Sequence, residues 1–400
     1  MGLIVSYRAT VAAFLYRRLQ RGAALAALLL LPSVSACGGS GQPVPGTLPQ
    51  HASAPLAPDA AMRETQSESA LMPAAPFVAG PNDLLYVANA GNNSITVYHT
   101  GASGNTAPLA TIEGSKTGLE SPGQLSEDQN GNLYVANQYH AEPPESILVF
   151  EHGANGNVAP IRVIAGPATR LSTNDLAAIA VDPAGRIFAT MGLPSDEGSA
   201  DLVRFAPDAS GNVAPLATSR GGEDLDDANE LAFDSTGKNI IEANGPVCCE
   251  VFSEGVNTYS KQFPNGKNAS LIYSISAFTS NGIADDPTTK TYLVSGGDGV
   301  SQGIFRFDEN TVGHGANSGE GTPQYTPAAV SVITSDTCGT QLALGYERNI
   351  YVLHSTFAGS CRTDAVYVYE HDASGKAAPL RVLTGSATDL DQPTGIYEGK

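Results

Sequence analysis

Two carboxylates, Asp175 and Asp227, and two carboxamides, Asn137 and Asn244, carry oxygen donors of the kind a hard divalent cation prefers, and His354 adds an imidazole. Ca²⁺ takes such oxygens readily, so these five residues mark a candidate ligand or metal position. A metal held there would polarise an ester carbonyl, the chemistry of metal-dependent hydrolysis. A zinc centre would instead need several converging histidines; His140 and His354 suit such a site, and a third is missing. The asparagines also have a simpler account, because Asn tolerates left-handed backbone and caps strand exits. Only two carboxylates stand in the set and no general base stands beside them. No catalytic residue is assigned, and no cofactor is required beyond a candidate Ca²⁺.

Cysteine supplies the second signal. Cys37 follows Val34-Ser35-Ala36 and precedes Gly38-Gly39-Ser40-Gly41. Four cysteines remain: Cys248, Cys249, Cys338 and Cys361. An even number in an exported chain reads as disulfides. Cys338 enters one strand and Cys361 follows the next, so the intervening hairpin brings them to one face, and they are expected to pair. Cys248 and Cys249 are adjacent; a vicinal bridge, a ligand-contacting turn or separate bridges all remain open.

These side chains need a scaffold, and the chain builds it by repetition. A short strand recurs as Leu85–Asn89, Leu133–Asn137, Ile187–Ala189, Ile240–Asn244, Leu293–Val294 and Ile350–Val352. Between the central residues of these strands, Tyr86, Tyr134, Phe188, Ile241, Leu293 and Tyr351, the steps are 48, 54, 53, 52 and 58. A period near 50 with strand-like content indicates propeller blades. An apolar strand and an Asp-Pro-Ala-Gly-type turn precede the marker. An alternating strand such as Ala365–Tyr369 follows it, and its period of two marks two different faces. A Gly/Asn turn comes next, then a strand opening at Pro108, Pro160, Pro215 or Pro379. Proline has no N–H to donate, so that strand belongs at the outer edge. The first copy lacks its innermost strand, and the tail from Pro393 to Glu398 matches it. The expected fold is all-β: a six-bladed propeller of four-stranded antiparallel blades, closed by the C-terminal strand. Aligning the copies puts Ser121, Asp175, Asp227, Thr279, Cys338 and Gln392 in one ring at the channel mouth. Asn89, Asn137, Met191, Asn244, Gly296 and His354 form a second.

The inner strand, Asp-x-x-Gly turn and Leu-Tyr-Val-Ala-Asn run resemble NHL and YVTN-type bacterial propeller repeats over roughly residues 81–400. Copy five departs most, through a Gly-rich insertion around His314–Gly321. The resemblance implies the fold and leaves the activity open, because propellers host enzymes and binding modules alike. Propellers of the gluconolactonase/regucalcin type hold a catalytic metal at the channel mouth through carboxylate and Asn oxygens. The likeness to these is one of fold only.

The ends and the charge bound the setting. A basic stretch ending at Arg21 and an apolar run from Ala23 to Leu31 read as the export signal of residues 1–36. The run is too short to span a bilayer. With the small residues before Cys37 it resembles a bacterial lipobox, which implies acylation of Cys37. Residues 37–80 form a Pro-, Ala- and Gly-rich tether, and the propeller occupies 81–400. The chain carries 21 Lys+Arg against 40 Asp+Glu. Arg8, Arg17, Arg18 and Arg21 all lie in the leader, so the body is more acidic still. Such a body repels phosphate backbones, and no nucleic-acid partner is expected. The leading expectation is a lipid-anchored protein of the bacterial cell envelope, facing periplasm or exterior, that binds a protein or glycan. The alternative is a metal-dependent hydrolase of lactone-like esters.

Overall fold

The computed structural model describes residues 84–138, 145–171, 175–192, 201–219, 228–244, 255–263, 271–276, 279–297, 302–309, 329, 331–334, 339–356 and 361–399. These residues form six four-stranded antiparallel sheets, the blades of a propeller. Blade 1 holds β1 (Leu84–Asn89), β2 (Ser94–His99) and β3 (Ala110–Ile112). Blade 2 holds β4 (Pro122–Glu127), β5 (Leu133–Asn137), β6 (Ser146–Phe150) and β7 (Arg162–Ala165). Blade 3 holds β8 (Asp175–Val181), β9 (Ile187–Gly192), β10 (Asp201–Phe205) and β11 (Ala217–Ser219). Blade 4 holds β12 (Ala228–Phe233), β13 (Asn239–Asn244), β14 (Gly255–Ser260) and β15 (Leu271–Ser276). Blade 5 holds β16 (Thr279–Asp286), β17 (Thr291–Gly297), β18 (Gln302–Asp308) and β19 (Ser331–Thr334). Blade 6 holds β20 (Gly339–Leu344), β21 (Ile350–His354), β22 (Ala365–Tyr369) and β23 (Arg381–Thr384). The last strand, β24 (Pro393–Gly399), returns to blade 1 and pairs with β1, Tyr397 opposite Tyr86 and Ile396 opposite Val87. The chain thus closes its own ring, and β24 completes blade 1 as its innermost strand.

The core lies between blades rather than within them. Period-two alternation sends Leu133 and Val135 into a cluster with Tyr86 and Ile95 of blade 1. Their neighbours Tyr134 and Ala136 go into the next cluster, with Ile179 and Phe205 of blade 3. Each of the six junctions carries one such cluster. The third strand of every blade carries a buried aromatic as its last or penultimate residue: Tyr98, Phe150, Phe205, Tyr259, Phe307 and Tyr369. A large ring at this place anchors the blade into its junction.

The Gly/Asn turns are latches as well as turns. Gly211 of blade 3 donates its N–H to Val163 O and accepts from Ala165 N, at 2.6 and 3.2 Å, and so adds a bridge to the outer strand of blade 2. Gly104, Gly156 and Gly375 repeat the bridge at three other junctions. All four take φ between 61 and 72°, which favours glycine. The next residue completes the latch in three copies. Asn105, Asn157 and Asn212 accept N–H bonds from Ala387, Lys116 and Ala168 of the preceding blade at 2.6–2.7 Å. The prolines at 108, 160, 215 and 379 stand just before β3, β7, β11 and β23, the outer strands, as expected.

Candidate functional site

Every innermost strand carries a bulge near the loop face, where its pairing slips by one residue. A bulge re-aims the side chain that follows it. Those following residues are Gln124, Ala178, Glu230, Gly282, Gln341 and Gly395, in order from blade 2 round to blade 1. Long polar side chains alternate with small ones, giving the hub a pseudo-three-fold pattern inside six-fold architecture.

The long side chains cross-tie the hub. The inner edge of each innermost strand presents backbone N–H and C=O groups that no further strand can pair. Gln124 Oε1 accepts from Ile179 N of blade 3 at 2.9 Å and Leu231 N of blade 4 at 3.2 Å, while its Nε2 donates to Leu231 O at 2.8 Å. Glu230 Oε2 accepts from Ile283 N at 2.8 Å and from the backbone of Leu342. Gln341 Nε2 donates to Asn229 O at 3.4 Å. The small residues make room: a Cβ on Gly282 would stand 2.7 Å from Glu230 Oε2, and one on Gly395 would strike the carbonyl of Gly123. Burial pushes the Glu230 carboxyl well above the ordinary range, more than its backbone hydrogen bonds lower it. One step further along the axis stand Ser126, Ala180, Ala232, Ala284 and Ala343, with Tyr397 as the single large residue.

Around this hub the loop face is framed by side chains that accept backbone N–H bonds. Asn137 Oδ1 accepts from Glu120 N at 2.7 Å, and its Nδ2 donates to Gly118 O and Ser146 Oγ at 3.1 and 3.3 Å. Asn89 holds Asp391 N in the equivalent way at 3.1 Å. Asn93, Glu145 and Asp364, each just before a third strand, accept from Ser121, Leu176 and Gln392. Two of those donors, Ser121 and Gln392, have φ of 46 and 48°, so the clamp sits where the backbone is strained. Gln138 and Asn229 tie Ala177 O and Ser280 O of the following blades at 2.7 and 3.0 Å.

The residues singled out by sequence fall as follows. Asn137 is 2% exposed and both its amide atoms are engaged as described. His354 is 3% exposed and stacks on Tyr367, ring centroids 4.0 Å apart. The backbone of Asp175 pairs with Gly192 and that of Asn244 with Ala228, which puts both at the loop end of their blades; nothing is described of their side chains. Asp227, Cys37, Cys248, Cys249 and Cys338 lie outside the described residues. Cys361 is 8% exposed and stands a few residues before β22. Among the described residues no group of three or more His, Cys, Asp or Glu is placed to hold a metal ion. Gly299-Val300-Ser301-Gln302-Gly303 matches the Gly-x-Ser-x-Gly pattern of serine hydrolases. That pattern needs a strand-to-helix turn, whereas here a strand, β18, begins at Gln302. Sequence reading missed these hub ties, although Gln124, Glu230 and Gln341 were visible as polar residues within apolar inner strands.

No family model and no curated protein matches the chain. Among solved structures it is similar to one described as a nidogen/laminin complex, with TM-score 0.50 and 13% identity over 78% of this chain and 97% of that one. It is also similar to a provisionally assigned 6-phosphogluconolactonase from Bacteroides uniformis, with TM-score 0.48 and 14% identity over 79% and 99%. A protein of unknown function from Desulfotomaculum acetoxidans follows, at TM-score 0.46 and 12% identity over 79% and 98%. At these identities the likeness is one of fold. Fold and site together define a six-bladed β-propeller whose hub is cross-tied by its own side chains.

Proposed function

We propose that the chain is a binding module of the bacterial cell envelope, anchored through acylated Cys37, which presents the loop face of its propeller to a protein or glycan partner. The observation that carries this reading is how the described residues of the loop face use their polar groups. Asn89, Asn93, Asn137 and Asp364 hold loop backbone, and Glu145 holds the start of β8 at Leu176 N. Gln124, Glu230 and Gln341 cross-tie the hub beneath. Side chains committed to backbone in this way suit a contact surface, whereas catalysis needs free groups converging on a reacting atom, and among the described residues of this face none converge. The reading includes the signal of residues 1–36, the tether of 37–80, the NHL/YVTN-type repeat kinship and a bridge between Cys338 and Cys361.

Cys37→Ala should move the protein out of the membrane fraction; unchanged lipid labelling would refute the anchor. Mass spectrometry of non-reduced digests should recover a Cys338–Cys361 peptide pair, and free thiols at both would refute the bridge. For the function itself, in-cell crosslinking and an immobilised glycan panel should find a partner whose contacts map to the loop face. A lactonase or aryl esterase activity that needs Ca²⁺ and is abolished by Asp175→Ala or Asp227→Ala would replace the binding reading with the hydrolase.

A further inference from the structure

Two blade junctions, 3/4 and 5/6, share a charge device on the face opposite the loops. In blade 3 the turn residue Asp182 bonds Arg186 of its own turn and Lys261 of blade 4, at 2.5 and 3.4 Å. In blade 5 the equivalent Asp286 bonds Arg306 of its own third strand at 2.8 Å and His371 of blade 6. Arg204 and Arg306 occupy one strand position, opposite Phe188 and Leu293, and reach the next blade's Lys261 O and His371 O. Lys261 and His371 also correspond, each two residues beyond the buried aromatic near the end of a third strand. At both junctions an aspartate of one blade meets a nitrogen side chain of the next, the Lys261 ammonium or the His371 imidazole.

The junction between blades 4 and 5, which lies between these two, has the aspartate but not its partners. The turn aspartate is Asp234, but Thr258 stands where Arg204 and Arg306 stand, and Glu309 stands where Lys261 and His371 stand. Glu309 Oε2 accepts from Ser235 Oγ of blade 4 at 2.8 Å. Asp285 of β16 lies against Glu309, with Asp234, Asp286 and Tyr292 around it. Asp286 is committed to Arg306 and His371 on its far side, and Lys238 of the blade 4 turn points to solvent. Asp285 Oδ1 and Glu309 Oε1 are both buried and accept from no donor. Two buried carboxyl groups that lie together, each with an oxygen that has no donor, are satisfied if one proton sits between them.

We propose that Asp285 and Glu309 share one proton, which takes the place of the missing nitrogen partner and makes the seam between blades 4 and 5 sensitive to pH. Burial, the hydrogen bond to Glu309 and the charges of Glu309, Asp234 and Asp286 all act together to push the Asp285 carboxyl up to about 9. An acid whose pKa is higher folded than unfolded stabilises most at low pH, and loses that contribution as pH rises through the interval between the two values. Above it, three to four like charges face one another at the seam and loosen it.

The test follows melting temperature from about pH 5 to about pH 9, across that interval, using mature wild-type protein, Asp285→Asn, Glu309→Gln and Glu309→Lys. Asp285→Asn keeps a donor in place of the shared proton. It should match wild type in mild acid and exceed it by several degrees in alkali. Glu309→Lys introduces a cation where the junction of blades 3 and 4 has Lys261 and should likewise flatten the pH dependence, which keeps the test decisive should Asp285→Asn not fold. Amide exchange, corrected for its intrinsic pH dependence, should rise in alkali at 234–239 and 309 in wild type alone. Parallel pH profiles for wild type and all three variants would overturn the proposal. So would an alkaline gain in wild-type melting temperature on adding Ca²⁺ that Glu309→Gln removes, since the pair would then be an ionised cation ligand.

Discussion

Gln124 does at one position what the whole hub requires: it supplies hydrogen bonds to backbone from two other blades. Gln124→Ala leaves two N–H groups and a carbonyl unpaired, and an unsatisfied buried group costs about 1–3 kcal/mol. A loss of about 3 kcal/mol in chemical denaturation is expected, well above the loss from truncating an exposed glutamine; a value near zero would mean that water reaches the axis. Asp286 works by charge. Burial alone would raise its carboxyl, but hydrogen bonds from Thr289, His371 and Arg306 outweigh that and hold it well below the ordinary range. A depressed carboxylate stabilises above its unfolded pKa of about 4 and loses that contribution in acid. Asp286→Asn strands Arg306 and should cost about 3 kcal/mol at neutral pH, with the gap to wild type closing as pH falls. Denaturation curves at both pH values check it.

At the scale of elements, the latch and the closing strand hold blades that share little continuous sheet. Gly211→Ala meets open space around the new methyl. Its cost is therefore the left-handed backbone alone, about 1–2 kcal/mol, and calorimetry of the variant measures that strain directly. Deleting Gly395–Lys400 takes most of β24 from blade 1 and uncovers β1, whose six residues are all buried. Loss of cooperative unfolding or aggregation is expected, since an uncovered strand edge templates other chains; wild-type melting of the truncated protein would contradict closure. The Gly/Asn turns were readable as turns, because Gly and Asn at that spacing announce left-handed backbone. That they also bridge to the blade before could not be read, because the partner strand is defined only once the ring has closed.

The molecule as a whole carries a formal charge of −19. Self-repulsion of that size destabilises the compact state, and salt screens it. Melting temperature should therefore climb with NaCl over the first few hundred millimolar, and a flat response would mean that local ion pairs have already balanced the field. The sequence by itself determined the blade count, the four-strand order, the outer edge and the closing role of the tail. These follow from local chemistry repeated six times: period-two alternation, turn residues, and prolines where no N–H is needed. Only the tertiary structure decided what the hub and the junctions do. Gln124 and Leu231 meet across 107 positions, and the bulge that aims Gln124 exists only through mispairing with a neighbouring strand. Asp285 and Glu309 are ordinary acids until the fold sets them beside Asp234, where two other junctions have Lys261 and His371. Such properties arise from which groups are brought together and dried, and no pattern along a single strand encodes that.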